Sequence, residues 1–442
     1  CYDKRLEIDD ALALARRAHP YANLEREQLV RCAEYLSGGG VGPDEAHVRR
    51  LGYDGTAIYG LGREVCSAFF ENVGTIPDEQ HVMVRMKGGR DIGRVEEGFL
   101  NEVREGDVFV LNGKTLRVKE LGATGITVEP FAGRPTVPTW SSHLKGIPAS
   151  LADEIHTLRN GVAALLQQGG PQPALAWLDT RYGLQGVESA HVVRYIAQQM
   201  AISALPTPRR AVVEIYKMDR RQTAVFHTGA GRRINETLAR VLAARVFAQI
   251  RANTNLTTDD NGFLLTLPQG KRLPDAVWAS LLQVDHFERD LLAGLRSSNM
   301  LRNSFRYVAN TGLLVLRRAG GRTLRRSSLS WNAQKIFERI YAADRRFPLL
   351  RETFRTITRD LLDAPGAKAY LEHSEPPQVL HPAAASPFTF GIITSSFGDS
   401  VVLDDRSSMV QALHERVLEV LGERAAEGRD IFDAPPFALQ HE

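Results

Sequence analysis

The sequence predicts an α+β protein of several domains: a winged helix, a small β-barrel, then an α/β and helical module, with no RecA-like or P-loop domain. Three observations carry that prediction. The chain has 442 residues, and at ~150 residues per domain it can bury about three cores. Its hydrophobic period changes from helix-like to strand-like over residues 74–130 and back again afterwards. No G-x-x-x-x-G-K-[ST] loop occurs anywhere in it.

Residues 1–70 read as helix, helix and wing. Residues 11–17 are helical, and the turn at 20–23 places Asn23 to cap a helix over 24–36 that Gly38-Gly39-Gly40 ends. Asp54-Gly55, between apolar flanks in 48–59, is a hairpin signal. Residues 71–140 follow as a small barrel or sandwich. Short β runs fall at 81–86, 106–111, 115–118 and 126–129, punctuated by Asn112-Gly113 and by glycines over 122–125. The Pro-rich stretch 133–141, which carries Trp140, reads as an ordered crossing loop.

Residues 141–290 form an α/β module. Amphipathic helices cover 149–168 and 187–204, and strands cover 211–215 and 224–227. A long helix begins near Arg233, and another strand, 263–267, follows the turn Asp259-Asp260-Asn261-Gly262. Residues 291–442 are mostly helical, closing with a strand pair at 388–394 and 400–403, a helix over 409–422 and a loosely held tail.

Composition narrows the function classes. With 43% hydrophobic and 24% charged residues, the chain is expected to be soluble and globular, and no run approaches the ~18 apolar residues of a membrane span. Cys1, Cys32 and Cys66 contain no CxxC pair, so reduced thiols and a cytoplasmic location are expected. The N-terminus has neither an initiator Met nor a signal-peptide core, and reads as the interior of a longer chain. Net charge is +3, but residues 296–359 hold fourteen Arg and one Lys against three carboxylates, a local +12 that leaves −9 elsewhere. Such a segment suggests a partner with phosphates; a solvated helical face is the alternative.

The stretch HTGAGRRINETL (227–238) has the outline of a phosphate loop: apolar strand, glycines, then helix. It fails both nucleotide tests. Walker chemistry needs Lys-Ser/Thr after the second glycine, where Arg232-Arg233-Ile234 stands, and a Rossmann fingerprint needs glycine where Ile234 is. Asp78-Glu79-Gln80-His81 spells a helicase box but precedes its strand and has no phosphate loop upstream, so it reads as a turn. No GxSxG, HExxH or zinc-spaced Cys/His set occurs, and neither catalytic residues nor metal ligands are expected. His227 reads as a packing residue, and Asp259-Asp260 as turn residues. Alone, the chain is not expected to be an enzyme.

Nucleic-acid binding survives this pass. Arg233, Arg240 and Arg251 share one face of a helix at ~3.6 residues per turn. Arg232 and Arg233 sit beside a helix N-terminus, where they either touch a backbone phosphate or simply brace the joint. Arg302, Arg306, Arg317, Arg318 and Arg322, with Arg325 and Arg326, extend the basic surface. Trp140 either stacks on a base, a contact of about 1–3 kcal/mol, or plugs the barrel end.

In this order, the pieces resemble the post-motor half of Lhr-type (large helicase-related) superfamily 2 DNA helicases, closer to the archaeal-style branch than to the long bacterial form. The matching blocks are PYANLEREQL (20–29), ENVGTIPDEQHVMVR (71–85), IGRVEEGF (92–99), VPTW (137–140) and FHTGAGRRINETLARVL (226–242). They continue with RNSFRYVANTGLLVLRR (302–318), PLLRETFRTITRDLLDAPGA (348–367) and SPFTFGIITSSFGDSVVLDDR (386–406). The resemblance implies two RecA-like motor domains ahead of these modules in the same polypeptide. It also implies ATP-driven 3′→5′ movement on single-stranded DNA, with RNA:DNA hybrids often preferred. By its context Trp140 looks like the family tryptophan that stacks on the tracking strand. ATP and Mg are expected only with the motor, and no cofactor in this chain. One departure stands out: Arg326-Ser327-Ser328-Leu329-Ser330-Trp331 replaces the Gly-Arg-Gln-like stretch usual after GLLVLRR. The expected role is therefore the strand-guiding portion of such a helicase. The alternatives are a free-standing nucleic-acid-binding protein and a glycosylase-like repair accessory.

Overall fold

The computed structural model describes residues 5–38, 49–74, 81–96, 105–111, 114–122, 125–131, 146–218, 220–296, 300–316, 318–319, 322–323 and 326–399. At the N-terminus, β1 (Leu6–Glu7), α1 (Ile8–Arg16), α2 (Arg26–Leu36) and the hairpin β2 (Gly52–Tyr53) and β3 (Ala57–Tyr59) build a three-stranded sheet, order β1-β3-β2, with two helices. The wing turn forms as expected. Asp54 Oδ1 accepts the N–H groups of Thr56 and Ala57 at 3.0 Å each, and Gly55 takes a φ of +100° that a side chain would strain. Helix α2 begins later than expected, because the chain is still turning at Leu24, whose N–H reaches Tyr21 O at 2.9 Å. Asn23 therefore does not cap it. Glu25 does, its N–H donated to Gln28 Oε1 at 3.0 Å in a capping box. A third helix, α3 (Arg63–Asn72), follows the wing.

The next five strands are β4 (His81–Met86), β5 (Asp91–Glu96), β6 (Val108–Leu111), β7 (Lys114–Leu121) and β8 (Gly125–Pro130), in the order β5-β4-β8-β7-β6. Alternation along them buries Val84, Phe109, Leu116, Val118, Ile126 and Val128 in one core. No ladder joins β5 to β6 among the described residues, so the element is a half-barrel. The crossing loop with Trp140 lies outside the described residues.

Helices α4 (Ala149–Gly169), α5 (Pro171–Tyr182) and α6 (Val187–Ile202) pack around Val162, Leu166, Leu178, Val193 and Ile196. They lead into β9 (Val212–Met218), β10 (Arg221–His227), α7 (Arg232–Ile250), β11 (Asn255–Thr258), β12 (Gly262–Thr266), α8 (Asp275–Ser280) and α9 (Phe287–Arg296). The basic segment continues as α10 (Met300–Thr311), the hairpin β13 (Arg318–Ala319) and β14 (Arg322–Thr323), α11 (Arg326–Ala343) and α12 (Pro348–Arg355). After a π-helical turn, Thr356–Leu361, come α13 (Ala364–His373), β15 (Gln378–Leu380) and α14 (Pro387–Asp399).

A second sheet, β11-β12-β10-β9-β15, is antiparallel except for the β15–β9 pair, and is covered on both faces. Ala224, Phe226, Phe263 and Leu265 face α7 and Trp278, with the Phe226 and Phe263 rings stacked at 4.8 Å. Val225 and Leu264 face Ile392 and Ile393 of α14. That helix corrects the expected C-terminal strand pair: residues 388–394 are helical, and 400–403 lie outside the described residues. The aromatic and β-branched run favours a strand locally, but Ser386 Oγ accepts the Thr389 N–H at 3.2 Å and Pro387 takes the first helical position. Helix-covered burial against the sheet then decides.

The N-terminal module does not keep a core to itself. Tyr35 of α2 packs with Phe305, Leu314, Phe347 and Leu350 of the basic helical module, edge-on to Phe347 at 5.4 Å. Three polar clamps reinforce the contact. The Tyr35 hydroxyl donates to Gly312 O at 3.1 Å and Arg50 Nε to Leu313 O at 3.0 Å, satisfying carbonyls at the end of α10. Asn72 donates to Arg318 O at 2.9 Å and accepts the Arg318 N–H at 3.0 Å.

Candidate nucleic-acid interface

The glycine loop between β10 and α7 is closed rather than open. Gly229 and Gly231 adopt φ of +63° and +86°, and their N–H groups are donated to Asn261 O at 2.8 Å and Asp260 O at 3.2 Å. The Ala230 N–H goes to Thr228 Oγ1 at 3.3 Å. A Cβ at Gly229 would stand 2.4 Å from His156 Nε2. Asn235 ties the joint down, donating to Asp259 O and Asp260 O at 3.0 and 3.1 Å. The loop's own amides, those of Gly229, Ala230 and Gly231, are therefore already used. Asp259 and Asp260 serve the same turns: Asp259 Oδ1 accepts from Asn261 and Gly262, and Asp260 Oδ1 from the Ile147 N–H at 2.9 Å.

Arg233, Arg240 and Arg245 have structural partners. Arg233 Nη2 donates to Arg359 O and to Leu362 O, the latter at 2.8 Å, bracing the end of the π-helical turn. Arg240 is largely buried and pairs with Glu236 at 3.0 Å. Arg245, which the sequence did not single out, ion-pairs with Asp290 at 2.8 Å and donates to the carbonyls of Leu281, Gln283 and Asp285. Arg251 is exposed at the α7 C-cap. The half-buried Arg232 has no hydrogen bond or ion pair among the described residues.

Behind the joint lies a buried polar net. Glu214, fully buried, accepts from Tyr216 OH at 2.5 Å, Ser386 Oγ at 2.9 Å and Thr389 Oγ1 at 2.5 Å. His227 Nε2 stands 3.3 Å from the same carboxylate and 3.0 Å from Thr389 Oγ1. Its Nδ1 meets no partner. Burial alone pushes the Glu214 carboxyl up, but the His227 ring and the donated hydrogen bonds overcome it and hold it at about 2. Tyr216 is pushed up by burial and by that carboxylate. The net joins β9, β10 and α14, and His227 is a packing residue, as its flanks suggested.

The basic module presents its charge differently. On α10, Arg306 Cζ lies 5.0 Å from the ring centroid of Tyr307, which is 38% exposed, and Arg306 Nη2 donates to the Tyr307 hydroxyl at 3.3 Å. Arg318 is exposed while its backbone is held by Asn72. Arg302 lies on α10 and Arg322 on β14, with side chains outside the described residues; Arg317, like Trp140, is wholly outside them. Tyr307 was passed over in the sequence, although the Arg306-Tyr307 dipeptide in a basic helix was its signal.

Comparison with known proteins gives this arrangement a family. A model of the large helicase-related protein winged helix domain matches residues 1–137, and the DEAD/H associated family matches residues 205–389. ATP-dependent helicase Lhr-Core protein 2 of Thermococcus barophilus is 32% identical over 429 residues, covering 95% of this chain and 49% of the relative. ATP-dependent helicase Lhr-Core of Methanocaldococcus jannaschii is 29% identical over 425 residues, covering 95% and 48%. The solved helicase Lhr of Mycobacterium smegmatis, bound to ssDNA and AMP-PNP, has the same fold at a TM-score of 0.63 and 19% identity, over 88% of this chain and 46% of its own. The chain spans about half the length of the curated relatives it matches. No described helix is long and apolar enough to cross a membrane. Winged helix and DEAD/H-associated region are thus matched in this order along one chain, and the chain belongs to the Lhr helicase family, matching about half the length of the archaeal Lhr-Core proteins.

Proposed function

We propose that this chain is the strand-guiding portion of an ATP-dependent 3′→5′ Lhr helicase, binding single-stranded DNA or an RNA:DNA hybrid. RecA-like motor domains of the same polypeptide hold ATP and Mg and supply the hydrolysis. The observation that carries this reading is the concentration of net positive charge in residues 296–359, where fourteen Arg and one Lys meet three carboxylates. That density is suited to a phosphate backbone. The exposed Tyr307 with Arg306 over its ring adds a surface on which a base can stack, and the fold neighbour was solved bound to ssDNA. Arg302, Arg306, Arg317, Arg318 and Arg322 take the phosphates, with Arg232 as an outlying contact and Trp140 as a further stacking residue. Arg233 and Arg240 act mainly by holding the scaffold.

The test is ssDNA binding by the 442-residue chain across a salt series. The expected result is an affinity whose logarithm falls linearly with log salt, by about 0.7 for each phosphate neutralised. An affinity indifferent to salt, or no binding, overturns the reading. Replacing Trp140 with Ala is expected to weaken binding by about 1–3 kcal/mol while the fold is kept.

A further inference from the structure

We infer that Arg296, Tyr341 and Arg345 form a phosphodiester clamp on the basic module, separate from the Arg306–Tyr307 pair. Arg296 ends α9, Tyr341 lies in the last turn of α11, and Arg345 lies in the turn that follows. The Arg296 Cζ is 5.4 Å and the Arg345 Cζ 5.2 Å from the centroid of the one Tyr341 ring. Arg296 Nη2 also donates to the Tyr341 hydroxyl. The ring is fixed from behind by a ladder of aromatics. Fully buried Phe305 packs edge-on to Phe337 at 5.2 Å, and Phe337 stacks on Tyr341 at 5.5 Å.

A single arginine on a tyrosine is an ordinary packing contact. Two guanidiniums over one ring are different, because two like charges share one ring and each keeps further donors for an acceptor. Neither arginine has an ion pair among the described residues, and both are exposed. The neighbouring carboxylate, Asp344, directs Oδ1 to the Arg346 N–H at 2.8 Å instead. A singly charged diester within reach of both guanidiniums offsets their charge, and planar guanidinium forks match its oxygens. A strand phosphate is the anion the module is built to meet. The inference thus deepens the nucleic-acid reading and rests on it.

The experiment uses the whole chain and an oligothymidylate strand, with affinity measured over a salt series for wild type, the double variant R296Q/R345Q, Y341F, and K271Q/R272Q. The last removes two exposed charges elsewhere and controls for net charge. R296Q/R345Q is expected to bind roughly tenfold or more weakly at low salt, with a salt slope shallower by about 0.7 and an unchanged melting temperature. Y341F, which keeps the ring but loses the hydroxyl that orders Arg296, is expected to fall between it and wild type; the control keeps the wild-type slope. A double variant with wild-type affinity and slope overturns the clamp while wild-type binding upholds the wider reading. A lowered melting temperature with an unchanged slope shows packing alone and also overturns it. A wild type that does not bind overturns both.

Discussion

The joint at Gly229–Arg245 and the face made by α10 and α11 both look, in sequence, like arginine-rich anion sites, yet they use the guanidinium in opposite ways. At the joint, Arg233 and Arg245 enclose main-chain carbonyls left over where helices end. On the α10–α11 face, Arg306, Arg296 and Arg345 lie over tyrosine rings at the surface. The difference teaches that an arginine's role follows from what else could satisfy the groups around it. Main-chain carbonyls left where helices end draw several donors of one guanidinium inward, whereas the face of a ring holds the guanidinium at the surface.

Substitutions can break that contrast. The largest effect is expected for Arg245→Ala, which removes one of the two arginine partners of Asp290, leaving Arg289, and takes the donors from three main-chain carbonyls. Chemical denaturation should show a loss of about 3–4 kcal/mol from one charged pair and three hydrogen bonds, and a loss under 1 kcal/mol would mean the joint's arginines are dispensable like surface ones. Next is acid. The Glu214 carboxyl is held at about 2 in the folded chain against about 4.3 unfolded. The stability it contributes is therefore complete above pH ~4.3 and is lost as pH falls towards 2, roughly 3 kcal/mol in all. Denaturation midpoints measured from pH 5 to 2.5 should fall more steeply in wild type than in Glu214→Gln; parallel curves would remove the buried net from the account. Gly229→Ala, which must hold φ near +63° beside His156, is expected to cost about 1–3 kcal/mol. Arg233→Ala should cost about 1–2 kcal/mol and leave the salt dependence of ssDNA binding alone. Arg306→Gln should do the reverse, shifting stability by less than about 0.5 kcal/mol while making the salt slope shallower by about 0.7. Equal slopes for those last two variants would erase the contrast.

Much of this was legible along the chain, and what was not has a physical reason. Strands β9, β10 and β12 and helix α7 show themselves through apolar runs bounded by Asp-Asn-Gly and Gly-Ala-Gly turns, and the wing through Asp54-Gly55. Strand β5 was hidden by Gly93 and Arg94 in its middle, and β11 and β15 are edges of three or four residues whose pairing comes from elsewhere. In α14, Ser386-Pro387 was a start signal outweighed by Phe388, Phe390, Ile392 and Ile393. The roles of single arginines were least legible. Arg233 meets Leu362, 129 positions away, and Glu214 meets Thr389, 175 positions away; neither spacing leaves a local mark.

The seat of the winged helix on the end of α10 has a consequence in time. Tyr35 precedes Gly312, to which its hydroxyl donates, by 277 positions. At about 5–20 residues per second, a ribosome takes roughly 15–55 s to span that interval. For most of it, Tyr35 has been made but Phe305, Phe347 and Leu350 do not yet exist to cover it. The winged-helix module is thus completed long after its own residues are synthesised, and its apolar flank stays uncovered through that interval.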